Sequence, residues 1–348
     1  MKVSDYIAEF LSKKTDYVFG GQGGSVVHIV NSIDRHKKIK FIPGQNEQAS
    51  SIAADAYHRV SGKLGVAIGT SGPGLLNLLQ GMACSFFDSI PSLYISGAPV
   101  INQIRKNKKI RQIGFQEMEV VDLVSPITKY AVLIKDVNKI RYELEKAIYI
   151  SNSGRKGPVL IDLPDDLQRM NINPKNQKKF IIKNSKTINT KKKMSENINN
   201  LKKLLEKSSK PLLIIGNGVK LSNSDLLIKK FIKKTGIPYA PTWATIDIFD
   251  SKDKHNAGTF GVAATRYGNF AIQNAEQQPH SWHQTSGARH ARAGFVGHPC
   301  FPCALFEVAL PKPRPDRLHN GPSAGGEPQV VEDPEKLAAD AALIRTFF

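Results

Sequence analysis

The residues with the clearest chemical potential lie between positions 20 and 77. A single carboxylate, Glu47, stands at the start of a helix-like segment of mostly small and apolar residues, EQASSIAADAYHRVS. One predicted strand later the chain reads Ser-Gly-Pro-Gly at residues 71–74, and a glycine cluster at residues 20–24 precedes both. Glycines let the backbone approach a ligand closely, and a positioned carboxylate can act as a general acid or base. The three features predict a ligand site with one acid/base group, provided that the fold brings them together.

The elements that must do this follow from the apolar spacing of residues 1–170. Short apolar segments alternate with helical patterns, in YVFGGQGGS, KIKFIP, LGVAIGTSG, PSLYISG and GPVLIDLP. This alternation predicts an α/β fold, with a doubly wound parallel sheet covered by helices on both faces. Asn46 is a predicted N-cap and Pro73 lies in the first turn of the next helix. Ligands bind at the carboxyl ends of such strands, so the three features should share one edge.

Composition divides the rest of the chain. Residues 171–194 are polar and rich in Lys and Asn, which predicts a linker, and residues 195–275 show two strand–helix units of a partial, Rossmann-like second α/β domain. Residues 276–348 hold nine of the 20 prolines, five of the nine histidines and only two lysines. Because this usage differs from the body of the chain, we predict an unrelated tail, disordered except for a short helix in EKLAADAALIRTFF.

Charge and cysteine content narrow the function classes. The formal net charge is +19, but the lysines are scattered and no zinc-finger spacing or basic-aromatic interleaving accompanies them. We therefore predict no specific nucleic-acid partner, and only salt-sensitive, nonspecific polyanion binding stays open. No run of 18 apolar residues exists, which predicts no membrane span. Three cysteines in 348 residues and no apolar signal segment favour the cytoplasm.

Two segments of the sequence contain cysteine. Cys84 lies in an apolar helical pattern and is predicted to be a small core residue. The tail segment HPCFPC contains His298, Cys300 and Cys303, which form only part of a zinc site because no second pair follows at finger spacing. We therefore predict no metal-ligand set in this chain.

In order and spacing, the motifs resemble one family. The stretch GQNEQASSIAADAYHRVSGKLGVAIGTSGPGLLNLLQ, with IGFQEMEVVDLVSPITKYA and GPVLIDLPDDL after it, resembles the pyrimidine-binding domain of thiamine-diphosphate enzymes of the acetolactate synthase type. PLLIIGNGV and GTFGVAATRYGNFAIQNA resemble part of the central domain of the same family. The resemblance covers residues 1 to about 275.

The resemblance implies roles for individual residues. The glutamate that matches Glu47 hydrogen-bonds N1′ of the cofactor's aminopyrimidine, and the proton shared there activates the thiazolium ring for attack on a 2-oxo acid. Phe115 and Gln116 match a pair near the substrate, and Arg155 matches a residue that contacts FAD in flavin-containing members. The cofactor-binding residues implied by the family are Gly23, Gly24, Glu47, Ser71, Gly72, Pro73, Gly74 and Asn77.

The resemblance also implies a reaction and partners. Family members are transferases that decarboxylate 2-oxo acids such as pyruvate and join the product to an acceptor, notably in branched-chain amino acid biosynthesis. Their diphosphate domain holds Mg²⁺ and the cofactor's diphosphate through a Gly-Asp-Gly motif, which does not occur in this sequence. We therefore expect a truncated chain that obtains Mg²⁺ and diphosphate binding from a missing domain or a partner, as a homo-oligomer or with a full-length relative.

Two departures from the family keep alternatives open. The chain reads Gly-Gln-Gly-Gly at residues 21–24 where the family usually reads Tyr-Pro-Gly-Gly, and Asp165 stands where the family usually has Lys. Both positions lie near the substrate region. A related thiamine-diphosphate decarboxylase or carboligase with another substrate is one alternative, and a non-catalytic fragment that pairs with full-length relatives is the other.

Overall fold

The computed structural model describes residues 1–107, 109–182, 190–275 and the strand at 306–309. The chain forms two compact units, Met1–Lys183 and Asn184–Phe348. Among the helices of these described ranges, none is both long and apolar enough to cross a membrane.

The first unit is an alternation of helices and strands. Its helices are α1 (Val3–Leu11), α2 (Val27–Asp34), α3 (Glu47–Ser61), α4 (Pro73–Phe87), α5 (Val120–Val124), α6 (Ile140–Asn152) and α7 (Asp165–Arg169). Its strands are β1 (Tyr17–Gly20), β2 (Lys40–Pro43), β3 (Gly65–Gly69), β4 (Ser92–Ala98), β5 (Tyr130–Leu133) and β6 (Val159–Pro164).

These strands form one parallel sheet in the order β2-β1-β3-β4-β6-β5, which confirms the predicted α/β class. The central strands β3, β4 and β6 are buried along their whole length, and they are the segments that read as continuous apolar or small residues. Strand β5 was not predicted. It is a four-residue edge strand that is only half-buried, so its pattern is weak.

Two apolar cores cover the two faces of the sheet. One face packs against α1, α2 and α6, and its core includes Val3, Ile29 and Leu144. The other face packs against α3, α4 and α5, and its core includes Leu78 and Val124. The doubly wound arrangement leaves the carboxyl ends of the strands free at one edge of the sheet, where loops can gather around a ligand.

The second unit contains a smaller sheet. Its elements are α8 (Thr190–Lys207), β7 (Leu212–Ile215), α9 (Gly218–Leu221), α10 (Asp225–Thr235), β8 (Tyr239–Pro241), α11 (Arg266–Asn274) and β9 (Phe306–Ala309). Strand β8 pairs with β7 in parallel, and β9 pairs with β7 on its other side in antiparallel orientation.

Some predicted boundaries differ from the observed elements. Helix α8 begins inside the stretch that was predicted to be a linker, and Asn171 at the start of that stretch forms a bridge with Lys2 of the first unit. Strand β9 falls within the tail that was predicted to be disordered. The helix predicted near the C-terminus lies outside the described residues. The domain boundaries themselves stay predictions.

A buried carboxyl group lies inside the first sheet. Asp162 in β6 is 3% exposed and sits opposite Ser96 of β4, whose hydroxyl Oγ donates a hydrogen bond to Asp162 Oδ1 at 2.7 Å. Burial raises the pKa of Asp162 to about 7, and the hydrogen bond from Ser96 offsets part of that increase. The folded chain therefore holds a proton on Asp162 at pH values where the unfolded chain has released it.

This predicts a pH-dependent stability that one substitution removes. Because the folded pKa lies above the unfolded value of about 3.9, the contribution of Asp162 to stability is greatest below pH 4 and declines as the pH rises to about 7. In Asp162→Asn this decline, at most about 1.4 kcal/mol per pH unit, should be lost. Urea denaturation between pH 4 and 8 measures it. Ser96→Ala should extend the decline in stability to higher pH, because the ionised Asp162 loses a hydrogen bond. Parallel curves of unfolding free energy against pH for wild type and Asp162→Asn would contradict the prediction.

Candidate functional site

Glu47 stands at the first residue of α3, directly after β2. The predicted N-cap is confirmed: Asn46 has an extended backbone, and its Oδ1 accepts a hydrogen bond from the Ala49 amide at 2.8 Å. The cap begins the helix immediately beyond the carboxyl end of β2, so the Glu47 carboxylate lies at that edge of the sheet and beside the positive end of the helix dipole.

Two segments, α4 and the loop after β1, converge on the Glu47 carboxylate. Asn77 of α4 donates its side-chain N–H to Glu47 Oε2 at 3.0 Å. On the other side the carboxylate faces glycine backbone. A Cβ added at Gly21 would lie 2.3 Å from Glu47 Oε1, and one added at Gly74 would lie 3.2 Å from it. Glycine at position 21 is therefore required for Glu47 to occupy this place, and position 74 has room for little more.

Behind the carboxylate, hydroxyl groups join the loops after β1 and β3. Thr70 fills the space beside two glycines, since a Cβ at Gly23 or Gly74 would lie 2.4 or 2.6 Å from its side chain. Thr70 Oγ1 and Ser25 Oγ share a hydrogen bond of 2.8 Å, and Ser25 Oγ accepts the Ser71 amide at 2.9 Å. Sequence reasoning missed Ser25 and Thr70, although both adjoin motifs that it singled out.

The predicted substrate pair reaches the border of the site. Gly72 has φ 64° and ψ −122°, and a Cβ there would lie 2.7 Å from Gln116 Cβ, so Gln116 packs on the turn between β3 and α4. Gln116 itself has φ 53°, in the left-handed region. Phe115 is 79% exposed, which makes it a surface residue beside the turn rather than a core residue.

Glu117 holds the loop that carries this pair. Its carboxylate accepts the backbone amides of Arg105 at 2.7 Å and Ile113 at 2.9 Å, and its side chain is 5% exposed. Multiple backbone donors on one buried carboxylate fix the conformation of the loop from both ends. Gln116, which precedes Glu117, is therefore held against Gly72 by a firm local structure.

Three other predicted residues have different surroundings. Pro73 is the first residue of α4 and is exposed, and Gly24 begins a short 3₁₀ turn where a Cβ would meet open space. Arg155 precedes β6 and so lies at the amino edge of the sheet, opposite to Glu47. Arg155 Nε donates to Ser89 Oγ at 2.8 Å.

A cleft of about 280 Å³ borders Arg155 at that amino edge. The side chains that line it are Phe86, Phe87, Lys129, Arg155 and Lys156. Burial lowers the pKa of both lysine ammonium groups. The cleft thus combines aromatic rings with positive charge, at a place that the Glu47 site does not share.

Asp165, which the resemblance aligns with a lysine of the family, forms an ion pair with Arg169 and lies near His28. It is the first residue of α7, and its carboxylate lies 3.0 Å from Arg169 Nη2 and 3.6 Å from His28 Nε2. A carboxylate held in this way presents negative charge and hydrogen-bond acceptors where a lysine would present a cation.

The residues present fit the aminopyrimidine of thiamine diphosphate. One carboxylate oxygen of Glu47 is oriented by Asn77. The other oxygen faces a glycine cradle, formed by Gly21 and Gly74, that any added Cβ would fill. No group of three or more His, Cys, Asp or Glu side chains suited to a metal ion occurs within the described residues. The HPCFPC segment lies outside them.

Comparisons with known proteins agree with this geometry. Residues 1–123 match the thiamine pyrophosphate enzyme N-terminal TPP binding domain, and residues 198–277 match the central domain of the same enzymes. The chain belongs to the thiamine pyrophosphate enzymes. Its central-domain match begins within α8 and ends just after α11, and strand β9 lies outside it.

Among curated proteins the chain is similar to acetolactate synthases. It is 32% identical to the chloroplastic acetolactate synthase of Arabidopsis thaliana over 276 residues, which cover 79% of this chain and 40% of the relative. It is 33% identical to the acetolactate synthase large subunit of Pyropia yezoensis over 265 residues, which cover 75% of this chain and 44% of the relative. The chain therefore spans about two fifths of the length of these relatives.

The glycine cradle predicts a substitution that disturbs the site and spares the fold. In Gly21→Ala the new Cβ would collide with the Glu47 carboxylate, which can rotate away because it ends a flexible side chain. We expect the thermal midpoint to change by no more than about 3 °C, while the hydrogen bond from Asn77 is lost. The Asn77 side-chain amide signal in a ¹H–¹⁵N NMR spectrum reports that loss.

Gly24→Ala is the matched control, because a Cβ at that position meets open space. Its Asn77 amide signal should coincide with that of the wild type. If Gly21→Ala also leaves the signal in place, the cradle does not constrain Glu47.

Proposed function

We propose that this chain supplies the pyrimidine-binding side of a thiamine-diphosphate site in an acetolactate synthase-like transferase. The observation that carries the proposal is the Glu47 carboxylate, oriented by Asn77 and enclosed by glycine backbone at the carboxyl edge of a parallel sheet. Thiamine diphosphate, when bound, supplies the electron sink for decarboxylation of a 2-oxo acid such as pyruvate. The proposed product transfer belongs to branched-chain amino acid biosynthesis.

Each residue of the site has a task in this proposal. Glu47 shares a proton with the ring nitrogen N1′ of the aminopyrimidine, as a general acid/base held in fixed geometry. Asn77 keeps the carboxylate oriented, Gly21 leaves room for the carboxylate itself, and Gly23 and Gly74 leave room for the Thr70 side chain next to it. Gln116 borders the space in which the substrate lies.

Binding of the diphosphate and Mg²⁺ is assigned outside this site. Mg²⁺ requires several oxygen ligands in near-octahedral arrangement, and the described residues offer no acidic cluster of that kind. We propose that another domain or a partner subunit provides them.

FAD binding is proposed only for the cleft at the amino edge of the sheet. Phe86 and Phe87 suit an aromatic ring system, and Arg155 with the two lysines suits phosphate groups. The cytoplasmic location predicted from cysteine usage stays a prediction, and the names of the plant relatives call them chloroplastic.

A carboligase with a different acceptor is the second candidate function. Asp165 favours it, because a carboxylate paired with His28 and Arg169 stands where the family usually places a lysine. A negative side chain disfavours a carboxylate on the acceptor and suits a hydroxyl-bearing or cationic one. Comparing 2-oxo acid acceptors with neutral aldehydes in a product assay distinguishes the two functions.

Glu47→Gln tests the proposed role directly. The substitution keeps the shape of the side chain and removes its charge, so we expect thiamine diphosphate with Mg²⁺ to bind at least about tenfold more weakly, since a hydrogen bond to a charged group contributes about 1.5–3 kcal/mol. The shift of the Asn77 side-chain amide signal during NMR titration measures binding down to millimolar affinity. Glu9→Gln, at a partly exposed carboxylate of α1, is the control. Equal affinities of all three proteins would remove Glu47 from the proposal.

We also propose that the outer face of α3 and α4 packs against a second subunit. Ile52 of α3 and Leu76 of α4 are each 42% exposed. Apolar side chains grouped on the two helices that carry Glu47 and Asn77 are suited to an interface next to the site.

Leu76→Lys should weaken self-association at least about tenfold, because an unpaired ammonium group would be buried in an apolar interface. Analytical ultracentrifugation over a concentration series measures this association. Leu226→Lys, at an exposed leucine of α10, serves as the control. A monomeric wild type, or an equal loss in both variants, would contradict the assignment of this face.

A further inference from the structure

Gln168 is a fully buried polar residue that the site described above does not use. It lies in α7, and its side-chain amide nitrogen donates two hydrogen bonds, to the backbone oxygen of Ser25 at 2.7 Å and to that of Leu163 at 3.1 Å. Its amide oxygen Oε1 is also buried and finds no hydrogen-bond partner among the described residues.

This arrangement indicates that residue 168 is a glutamine because its amide nitrogen must donate to the carbonyls of Ser25 and Leu163. Burying an unpaired amide oxygen is unfavourable, and a leucine of similar size would avoid it. Rotating the amide by 180° would place its oxygen against two carbonyl oxygens, so the orientation is determined by the acceptors. Gln168 therefore fixes the carbonyl of Ser25 relative to the end of β6.

Ser25 carries that constraint toward the site. Its hydroxyl accepts the Ser71 amide and bonds the Thr70 hydroxyl, which lie in the turn between β3 and α4. Ser25 also lies directly against β4, where a Cβ at Gly97 would be 2.2 Å from the Ser25 backbone oxygen. The Ser25 carbonyl is thus held between a glycine of β4 and the amide of Gln168.

The turn that Ser25 holds is the one that borders the carboxylate. Thr70 packs beside Gly23 and Gly74, and a Cβ added at Gly74 would lie 3.2 Å from Glu47 Oε1. We infer that Gln168 is a positioning residue for the pyrimidine site, because it fixes Ser25 and through Ser25 the turn of residues 70–74 that faces Glu47. The inference rests on the proposed function of Glu47, and Gln168 itself touches neither cofactor nor substrate.

Amide hydrogen exchange in the ligand-free full chain tests this without any activity. Gln168→Leu removes both donors at nearly constant volume, and we expect the Ser71 amide to exchange at least about tenfold faster while amides inside β3 keep their protection. Gln177→Leu is the matched control, since Gln177 is 5% exposed and bonds the Arg141 amide away from the turn. Unchanged Ser71 protection in a folded Gln168→Leu, or an equal loss in Gln177→Leu, would overturn the inference.

A double-mutant cycle tests whether the effect passes through Ser25. Ser25→Ala removes the acceptor of the Ser71 amide, so adding Gln168→Leu should cause no further acceleration of Ser71 exchange. If the accelerations of Ser71 exchange by the two substitutions multiply in the double variant, Gln168 acts by a route that does not pass through Ser25.

The conservative variant Gln168→Glu should be rescued by acid. While protonated, its carboxyl group can donate one hydrogen bond to the Ser25 carbonyl, and once ionised it would repel that oxygen. Ser71 protection factors should therefore approach the wild-type value at low pH and fall as the pH rises. A merely structural defect would show no such recovery.

Binding of thiamine diphosphate with Mg²⁺ separates this inference from the proposed function. We expect Gln168→Leu to bind at least about fivefold more weakly than Gln177→Leu in the Asn77 NMR titration. If Glu47→Gln binds as tightly as the wild type, the proposed role of Glu47 fails, while the exchange data still decide whether Gln168 positions the turn. If Gln168→Leu exchanges faster at Ser71 and yet binds normally, the link from the turn to Glu47 is wrong.

Discussion

The contact on which the site depends is the one between the Glu47 carboxylate and backbone that carries no side chain. Glu47 Oε1 faces Gly21 so closely that even a methyl group would displace it, and Gly74 borders it from α4. Asn77 then orients the second oxygen. Gly21 comes from the loop after β1, while Gly74 and Asn77 come from α4, so the carboxylate is placed by tertiary packing and not by the helix that bears it.

The order of the strands explains why those segments meet. Strand β1 lies between β2 and β3, and the chain passes from β1 to β2 on one side before returning to β3 on the other. Connections that diverge from neighbouring strands open a crevice at the carboxyl edge of a parallel sheet. The loops after β1, β2 and β3 surround that crevice and carry Gly21, Glu47 and Thr70 respectively. The topology thus provides the cleft, and the glycines allow its walls to approach.

Local signals predicted one part of this arrangement and could not predict another. Asn46 and Pro73 act through their own helix, so their roles are readable from neighbouring residues. Ser25 and Thr70 are 45 residues apart in the chain, and no periodicity relates them. Strand β5 was missed because a half-buried edge strand has a weak pattern.

The prediction for Cys84 was wrong for a related reason: its helix is apolar on more than one face, and the cysteine lies on the exposed one. An apolar pattern identifies which faces of a helix are apolar, but it does not show which of those faces other parts of the protein cover.

The solvent exposure of the site residues limits what the first unit can do alone. Proton sharing between a carboxylate and a ring nitrogen is most effective where water is excluded, because electrostatic interactions weaken in high dielectric. Glu47 is only half-buried, and both Asn77 and Phe115 are exposed in the first unit. The carboxyl edge of the sheet therefore orients the acid/base group but does not by itself enclose a ligand. A second surface must close over Glu47 and Asn77 before the proposed chemistry can proceed, and the uncovered apolar side chains of α3 and α4 lie on the two helices that such a surface would meet.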